Sequence, residues 1–302
     1  MGAKIRGWSC ALPRRAAAPA VKALVVGTDG LIGASLAECL RHAGHEVLGT
    51  TRRKKSDGLM LDLAKAEEFQ VPPGVEIAFI CAGIGSLVEC AKSPDATGRV
   101  NVAGTACLAR HLAERGSKVV YLSTNLVFDG CAPAAGISDP VKPCCEYGRQ
   151  KAELESRLHG DDYACVRLTK VAESLASRFE HWQSELRQGK QIAVSEKLRF
   201  SPVSLEETVR ALSEFACDFR PGVFHISGDE DFSYHEAALR LAHQLSLPAE
   251  LIETDPTAGS NLFEPMPAFA TLAVHGPDGS SCWRFSPSSV TLDNFTRRLA
   301  AN

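Results

Sequence analysis

Tyr147 and Lys151 lie four residues apart in Tyr-Gly-Arg-Gln-Lys, so on a helix their side chains share one face. A tyrosine hydroxyl, with a pKa of about 10, is a poor acid or base at neutral pH, but a nearby ammonium group favours its phenolate. Thr124 ends an apolar run and can hydrogen-bond a substrate carbonyl. The three residues can therefore protonate a carbonyl oxygen as a hydride donor reduces its carbon. Alone, the Tyr-x-x-x-Lys spacing is also typical of an exposed helix pair.

A glycine-rich turn predicts the hydride donor. The apolar run 21–26 leads directly into glycines at positions 27, 30 and 33, and an amphipathic segment over 34–43 follows. This order of strand, tight turn and helix is typical of a dinucleotide site, because a pyrophosphate approaches bare backbone N–H groups there. The predicted cofactor contacts from this turn are Gly27, Asp29, Gly30, Leu31, Ile32 and Gly33.

A basic segment, Thr50-Thr51-Arg52-Arg53-Lys54-Lys55, follows the second predicted strand. An acidic residue there would favour NAD by accepting hydrogen bonds from its adenosine ribose, whereas arginine suits the 2′-phosphate of NADP. No acid stands in this segment, so Arg52 and Arg53 predict NADP (NADPH). The alternative is a solvated basic loop.

Two further segments are predicted to contact the cofactor. Asp62, followed by Leu63, is predicted either to accept a hydrogen bond from the adenine amino group or to cap a helix. Cys81, Ala82 and Gly83 follow the next apolar strand, where small side chains let a cofactor rest against the backbone, although the glycine could simply end the strand.

Apolar strands alternate with helices through residue 168, which predicts an α/β fold with a doubly wound parallel Rossmann sheet. Beyond residue 169 the alternation becomes irregular. The predicted NADP-binding Rossmann domain spans 21–168 plus about 204–228. The predicted small C-terminal substrate-binding lobe comprises 169–203 and 229–302. Residues 1–20 carry four basic residues and no acid, and are interpreted as a disordered N-terminal extension or, alternatively, a transit peptide.

Composition favours small-molecule chemistry. The net charge of -3 gives no reason to expect nucleic acid or a membrane surface as a partner. The 11 cysteines contain no Cys-x-x-Cys, and several lie in apolar runs, which favours buried thiols, no disulfide bonds and a cytoplasmic location. His42 and His45 lack a carboxylate companion, so no metal site is predicted.

The sequence resembles the extended short-chain dehydrogenase/reductase superfamily over nearly all of residues 21–302. The three-residue gaps between Gly27, Gly30 and Gly33 match its turn, and Asn101-Val102-Ala103-Gly104-Thr105 resembles its central helix, which adds Asn101 to the predicted cofactor contacts. The stretch Ser-Thr-Asn-Leu-Val-Phe-Asp-Gly over 123–130 is similar to that of dTDP-4-dehydrorhamnose reductases. This resemblance implies Thr124, Tyr147 and Lys151 as the catalytic triad and a sugar nucleotide as the substrate.

The departures from that pattern leave alternatives. Asn125 and Leu126 replace the aspartate and tyrosine of the rhamnose enzymes, and they cannot perform the acid/base work of the dehydratases. A net reductase is favoured over an epimerase, which would hold NAD tightly. A third alternative is a non-catalytic regulatory subunit, such as that of methionine adenosyltransferase.

Three further predictions concern two arginines, a pair of adjacent cysteines and a homodimer surface. Arg167 and Arg199 either contact a diphosphate or make structural pairs. The adjacent Cys144 and Cys145 are not predicted to form a bridge. The exposed faces of the helices over 95–115 and 147–158 form a candidate homodimer surface.

Overall fold

The apolar runs of the sequence form strands in the computed structural model, which describes residues 19–53, 58–255, 266–274 and 283–301. The predicted N-terminal extension and Lys54-Lys55 fall almost wholly outside the described residues. The described strands are β1 Lys22–Val26, β2 Glu46–Thr51, β3 Leu59–Met60, β4 Ile77–Ile80, β5 Lys118–Thr124, β6 Tyr163–Leu168, β7 Lys170–Val171, β8 Ile192–Val194, β9 Arg199–Phe200, β10 Pro202–Val203, β11 Gly222–Ile226, β12 Phe232–Ser233 and β13 Ile252–Thr254.

Helices separate most of these strands. The described α-helices are α1 Leu31–His42, α2 Leu87–Lys92, α3 Pro94–Gly98, α4 Thr105–Glu114, α5 Glu146–Arg157, α6 Ala176–Arg187, α7 Leu205–Glu214, α8 Tyr234–Gln244 and α9 Ser288–Ala300. Short 3₁₀ segments occur at Leu63–Glu68, Asn125–Val127, Ala172–Leu175 and Ala249–Leu251, and a π-helix at Arg99–Gly104 joins α3 to α4.

Seven strands form one parallel sheet in the order β11-β6-β5-β4-β1-β2-β3. The chain moves outward from β1 through β2 to β3, and then crosses back to β4 on the other side of β1. The carboxyl ends of β1 and β4 therefore flank the topological switch point, where open α/β sheets bind ligands. The predicted doubly wound fold is confirmed.

The strands read as continuous apolar runs because both faces of the sheet are covered. Every residue of β4 is buried, as is β1 after Lys22. Leu24 and Ala78 pack in one core cluster with side chains of α4 and α5, such as Leu108 and Leu154. Helix α1 contacts α7.

The chain divides into two compact units. The first comprises Met1–Ser123, Gln150–Val166 and Leu205–Phe224, and the second comprises Thr124–Arg149, Arg167–Ser204 and His225–Asn302. The predicted division into a cofactor-binding domain and a substrate-binding lobe remains a prediction. The second unit has its own core, in which the ring of Phe179 lies 4.8 Å from Trp182 and 5.1 Å from Phe295.

One expectation about the cysteines is wrong. Eight described cysteines are not disulfide-bonded, but Cys39 on α1, which is fully buried, is disulfide-bonded. A cysteine in an apolar run gives the same sequence pattern whether its sulfur is free or bridged. Among the described residues, no helix is long and apolar enough to cross a membrane.

Candidate functional site

A cavity of about 540 Å³ opens in the first unit at the carboxyl ends of β1, β2 and β4. This volume is in the range of small-molecule sites. Most predicted cofactor residues line it, in four segments brought together by the sheet: Gly27, Asp29 and Gly30; Arg52 and Arg53; Asp62 and Leu63; and Cys81, Ala82 and Gly83. We refer to it as the first-unit cavity.

The turn after β1 depends on glycine at two positions. Gly27 has φ +92°, and a Cβ there would lie 2.8 Å from the Cβ of Ala82. A Cβ on Gly33 would lie 2.3 Å from the carbonyl oxygen of Gly27, so α1 packs closely on the turn only because residue 33 lacks a side chain. Gly30 caps α1 without a side-chain acceptor, which leaves the first N–H groups of the helix for an anion. Leu31 and Ile32 form that first turn.

The end of β2 differs from the sequence expectation that no acid stands there. Asp29, from the glycine turn, accepts hydrogen bonds from Thr51 Oγ1 at 2.8 Å and from the Arg52 backbone N–H at 3.2 Å. The Nε of Arg53 lies 3.6 Å from Asp29 Oδ1. Asp29 was predicted as a contact of the glycine turn, but its position at the end of β2 was not, because it comes from a different strand end, 22 residues earlier in the chain.

Two threonines that were not predicted as site residues connect the end of β2 to the glycine turn. The hydroxyl of Thr50 accepts a hydrogen bond from the Gly27 backbone N–H at 3.1 Å, and its carbonyl accepts one from the Thr28 hydroxyl at 2.9 Å. Thr50 and Thr51 are buried and line the first-unit cavity. Consecutive threonines at a strand end were the available signal, because their hydroxyls can bond adjacent backbone groups.

Asp62 occupies the rim of the cavity as a helix cap. Its Oδ1 accepts a hydrogen bond from the Ala64 backbone N–H at 3.0 Å, at the start of the 3₁₀ segment Leu63–Glu68. The capping alternative is therefore confirmed, while the adenine contact stays a prediction. Leu63 is buried beside it.

Lys151 on α5 reaches the wall of the cavity formed by residues 81–83. Its buried Nζ donates a hydrogen bond to the Leu122 carbonyl oxygen at 2.9 Å and would lie 3.7 Å from a Cβ placed on Gly83. Burial lowers the pKa of the Lys151 ammonium, an effect that Glu155 partly offsets. Burial also raises the pKa of the Cys81 thiol to about 12, despite the nearby Lys151 charge.

Asn101 lies in the π-helix and supports the same wall. Its side-chain Oδ1 accepts a hydrogen bond from the Ile84 backbone N–H at 2.7 Å, and its Nδ2 donates to the Ile84 carbonyl at 3.0 Å. The same amide group donates to Gln150 Oε1 at 2.8 Å. Ile84 lines the cavity, so the Asn101 hydrogen bonds fix the backbone of a lining residue.

Thr124 and Tyr147 belong to the second unit. Thr124 is the last residue of β5, is buried, and accepts a hydrogen bond from the Leu126 backbone N–H at 3.2 Å. Tyr147 is half-buried in the first turn of α5. A Cβ on Gly148 would lie 2.1 Å from the Leu126 carbonyl oxygen, so this glycine lets the start of α5 pack directly on the turn after Thr124.

The loop over 128–145 is anchored within the second unit. Ala135 pairs with Leu272, and a Cβ on Gly130 would lie 2.2 Å from the Cβ of Pro267. Neither Cys144 nor Cys145 is disulfide-bonded.

The two arginines considered for a diphosphate have protein partners in the second unit. Arg167 is buried, donates to the Ile137 carbonyl at 3.3 Å and stacks over the Phe128 ring at 4.9 Å. Arg199 donates to the Asp231 carbonyl at 2.9 Å. These contacts favour the structural alternative for both. Within the part of the chain that the structure describes, no group of three or more His, Cys, Asp and Glu side chains is arranged to hold a metal ion.

Comparison with known proteins identifies the family. Residues 21–276 match the family model described as the RmlD substrate binding domain. The chain is 26% identical over 260 residues to the spore coat polysaccharide biosynthesis protein SpsK of Bacillus subtilis, covering 83% of this chain and 89% of SpsK. It is 25% identical over 284 residues to methionine adenosyltransferase 2 subunit beta of Xenopus tropicalis, covering 84% and 81%.

Solved structures show the same fold. A dTDP-4-dehydrorhamnose reductase from Bacillus anthracis, crystallised in complex with NADP, superposes with a TM-score of 0.74 at 18% identity, covering 93% of this chain and 99% of that one. The expected resemblance to this group is thus confirmed. The chain belongs to the RmlD substrate binding domain family, an NAD(P)-dependent sugar-nucleotide oxidoreductase and epimerase type of the extended short-chain dehydrogenase/reductase superfamily.

Proposed function

We propose that this protein is an NADPH-dependent reductase of a keto group on a sugar nucleotide or a similar small molecule. The observation that carries the proposal is the first-unit cavity, which is lined by a glycine turn and two arginines and has Lys151 beside its Gly83 wall. The members of this family supply the chemical precedent. We further propose that the first unit binds the cofactor and that the second unit binds the substrate.

The residues of the cavity fit a dinucleotide. The bare turn at Gly27 and the uncapped N-terminus of α1 suit a pyrophosphate, and Arg52 and Arg53 suit a 2′-phosphate. Small residues at 81–83 line the cavity, and the Lys151 Nζ would lie 3.7 Å from a Cβ placed on Gly83. When bound, NADPH supplies the hydride that reduces the carbonyl carbon.

The proposed chemistry assigns one task to each of three side chains. Tyr147 gives its phenolic proton to the carbonyl oxygen as the carbon is reduced, so the product is an alcohol. The Lys151 ammonium favours loss of that proton. It lies beside residues 81–83, which line the first-unit cavity. Thr124 donates a hydrogen bond to the same carbonyl oxygen and orients it.

Substitution of Thr124 tests the hydrogen bond that its hydroxyl is proposed to donate. We expect Thr124→Ala to lower kcat about 10²-fold, the usual effect of removing one hydrogen-bond donor to a reacting oxygen. Thr124→Ser keeps the hydroxyl and should stay within about tenfold of the wild type. Steady-state kinetics with the matched control Thr254→Ala, at an exposed strand end, would measure this. Equal activities of the Ala and Ser variants would contradict the role.

The proposal as a whole is tested by the nucleotide that copurifies and by turnover. We expect the purified protein to carry or take up NADP(H), and to oxidise NADPH when supplied with one of a panel of keto sugar nucleotides. Tightly bound NAD with no net oxidation would instead indicate an epimerase. A reductase should release NADP after each turnover.

A second candidate function is a subunit of another enzyme. It is favoured by the similarity to chains named methionine adenosyltransferase 2 subunit beta. Affinity purification that recovers a stoichiometric partner enzyme, together with no NADPH oxidation across the panel, would support this candidate over the reductase. The homodimer surface predicted for the helices over 95–115 and 147–158 stays a prediction, and the molar mass in solution tests it.

A further inference from the structure

Opposite charges meet at the end of β2, on one wall of the first-unit cavity. The Asp29 carboxylate accepts hydrogen bonds from the Thr51 hydroxyl and the Arg52 backbone N–H, at 2.8 Å and 3.2 Å. It also lies 3.6 Å from the Arg53 guanidinium. The Asp29 side chain is 30% exposed and that of Arg53 is 68% exposed. Both groups therefore remain accessible to a ligand in the cavity.

These two groups have opposite preferences for nucleotides. A carboxylate at the end of the second strand of such folds accepts a hydrogen bond from a ribose hydroxyl, which suits NAD. Arginine suits the additional 2′-phosphate of NADP. In this chain the arginine comes from the end of β2, whereas the acid comes from the glycine turn and already pairs with it.

We infer that Asp29 is a specificity-determining residue. Its carboxylate reduces the selectivity of this protein for NADP over NAD. The inference rests on the proposed function, since it requires that the first-unit cavity binds the cofactor. A 2′-phosphate has to compete with the Asp29 carboxylate for Arg53 and is repelled by its charge. A 2′-hydroxyl meets no such repulsion and gains an acceptor.

The charge of Asp29 can be removed with little change to its local hydrogen bonds. The amide oxygen of Asn can still accept from the Thr51 hydroxyl or the Arg52 backbone N–H. We therefore expect Asp29→Asn to tighten NADP binding and weaken NAD binding, so that Kd(NAD)/Kd(NADP) rises about tenfold, which is the factor that a change of about 1.4 kcal/mol gives. Asp29→Ser is a second neutral variant, in case the first fails to fold.

The experiment is calorimetric titration of the full chain with NADP, NAD, adenosine 2′,5′-bisphosphate and AMP. Glu46→Gln is the matched control, because Glu46 is an exposed acid at the other end of β2, paired with Lys22. The ratio should stay within about twofold in the control. In Arg53→Gln, which removes the shared cation, the effect of Asp29→Asn should shrink by about half or more.

The outcomes separate the two proposals. A tenfold rise in the ratio for Asp29→Asn or Asp29→Ser, paralleled by the bisphosphate relative to AMP, supports the inference. If the wild type binds NADP but both neutral variants leave the ratio unchanged, the inference is wrong and the proposed function stands. If the folded wild type binds neither NADP nor NAD, the proposed function is wrong, and the inference falls with it.

Discussion

Tyr147→Phe is expected to lower kcat about 10³-fold, because it removes the only group assigned to protonate the carbonyl oxygen, and general acids contribute about 10²–10⁴-fold. The variant keeps the ring that packs at the start of α5. NADPH affinity should therefore stay within about twofold, because the proposed cofactor residues lie in the first unit. Single-turnover kinetics under saturating NADPH would measure the chemical step separately from binding.

The control for this variant is Tyr163→Phe. Tyr163 is half-buried at the start of β6 and has no assigned role in the reaction. Its variant should keep kcat within about twofold of the wild type. Turnover that survives Tyr147→Phe at the wild-type rate would show that the proton comes from elsewhere, and the proposed chemistry would have to be abandoned.

Lys151→Met should separate function from stability. Loss of the ammonium is expected to lower kcat about 10²-fold, because it no longer favours proton loss from Tyr147. The side chain is buried, and burial lowers its pKa, which means that the folded protein tolerates the neutral form better than the ammonium. Met fills a similar volume without that cost, so we expect the free energy of unfolding to rise by about 1 kcal/mol at pH 7.

The pH dependence of this gain has a defined sign. The pKa of Lys151 in the folded protein lies below its ordinary value of 10.5, so between the two values the unfolded chain binds more protons. The stability of the wild type relative to Lys151→Met should therefore increase as the pH rises through that window. Denaturation at pH 7 and pH 10 measures the difference. The control is Lys190→Met, on an exposed pair with Glu185. A gain that does not shrink with rising pH would contradict the burial argument.

The fold was accessible to sequence reasoning because its signals are local. An apolar run, a glycine turn and an amphipathic helix follow one another within about 20 residues, and β1, Gly27 to Gly33 and α1 form as the pattern predicts. The Tyr147–Lys151 spacing is equally local, since both residues lie on α5. The short strands of the second unit carry little periodicity, because two or three residues cannot show alternation.

The parts that sequence reasoning missed depend on contacts between distant segments. Asp29 lies at the end of β2 only because the glycine turn folds over Thr50 and Thr51. Gln150 was not singled out, yet it is buried and joins Asn101 to Thr97 through its amide group. Neither contact follows from spacing, because each joins segments from different strands or helices.

Transfer of deuterium tests the central claim most directly. NADPH deuterated at the transferable position of its nicotinamide would be incubated with the protein and a panel of keto sugar nucleotides, and the products would be examined by mass spectrometry. We expect one deuterium in the new alcohol for each NADPH oxidised, and incorporation about 10³-fold slower with Tyr147→Phe. Binding of NADPH without deuterium transfer to any member of the panel would contradict the claim that this protein is a reductase.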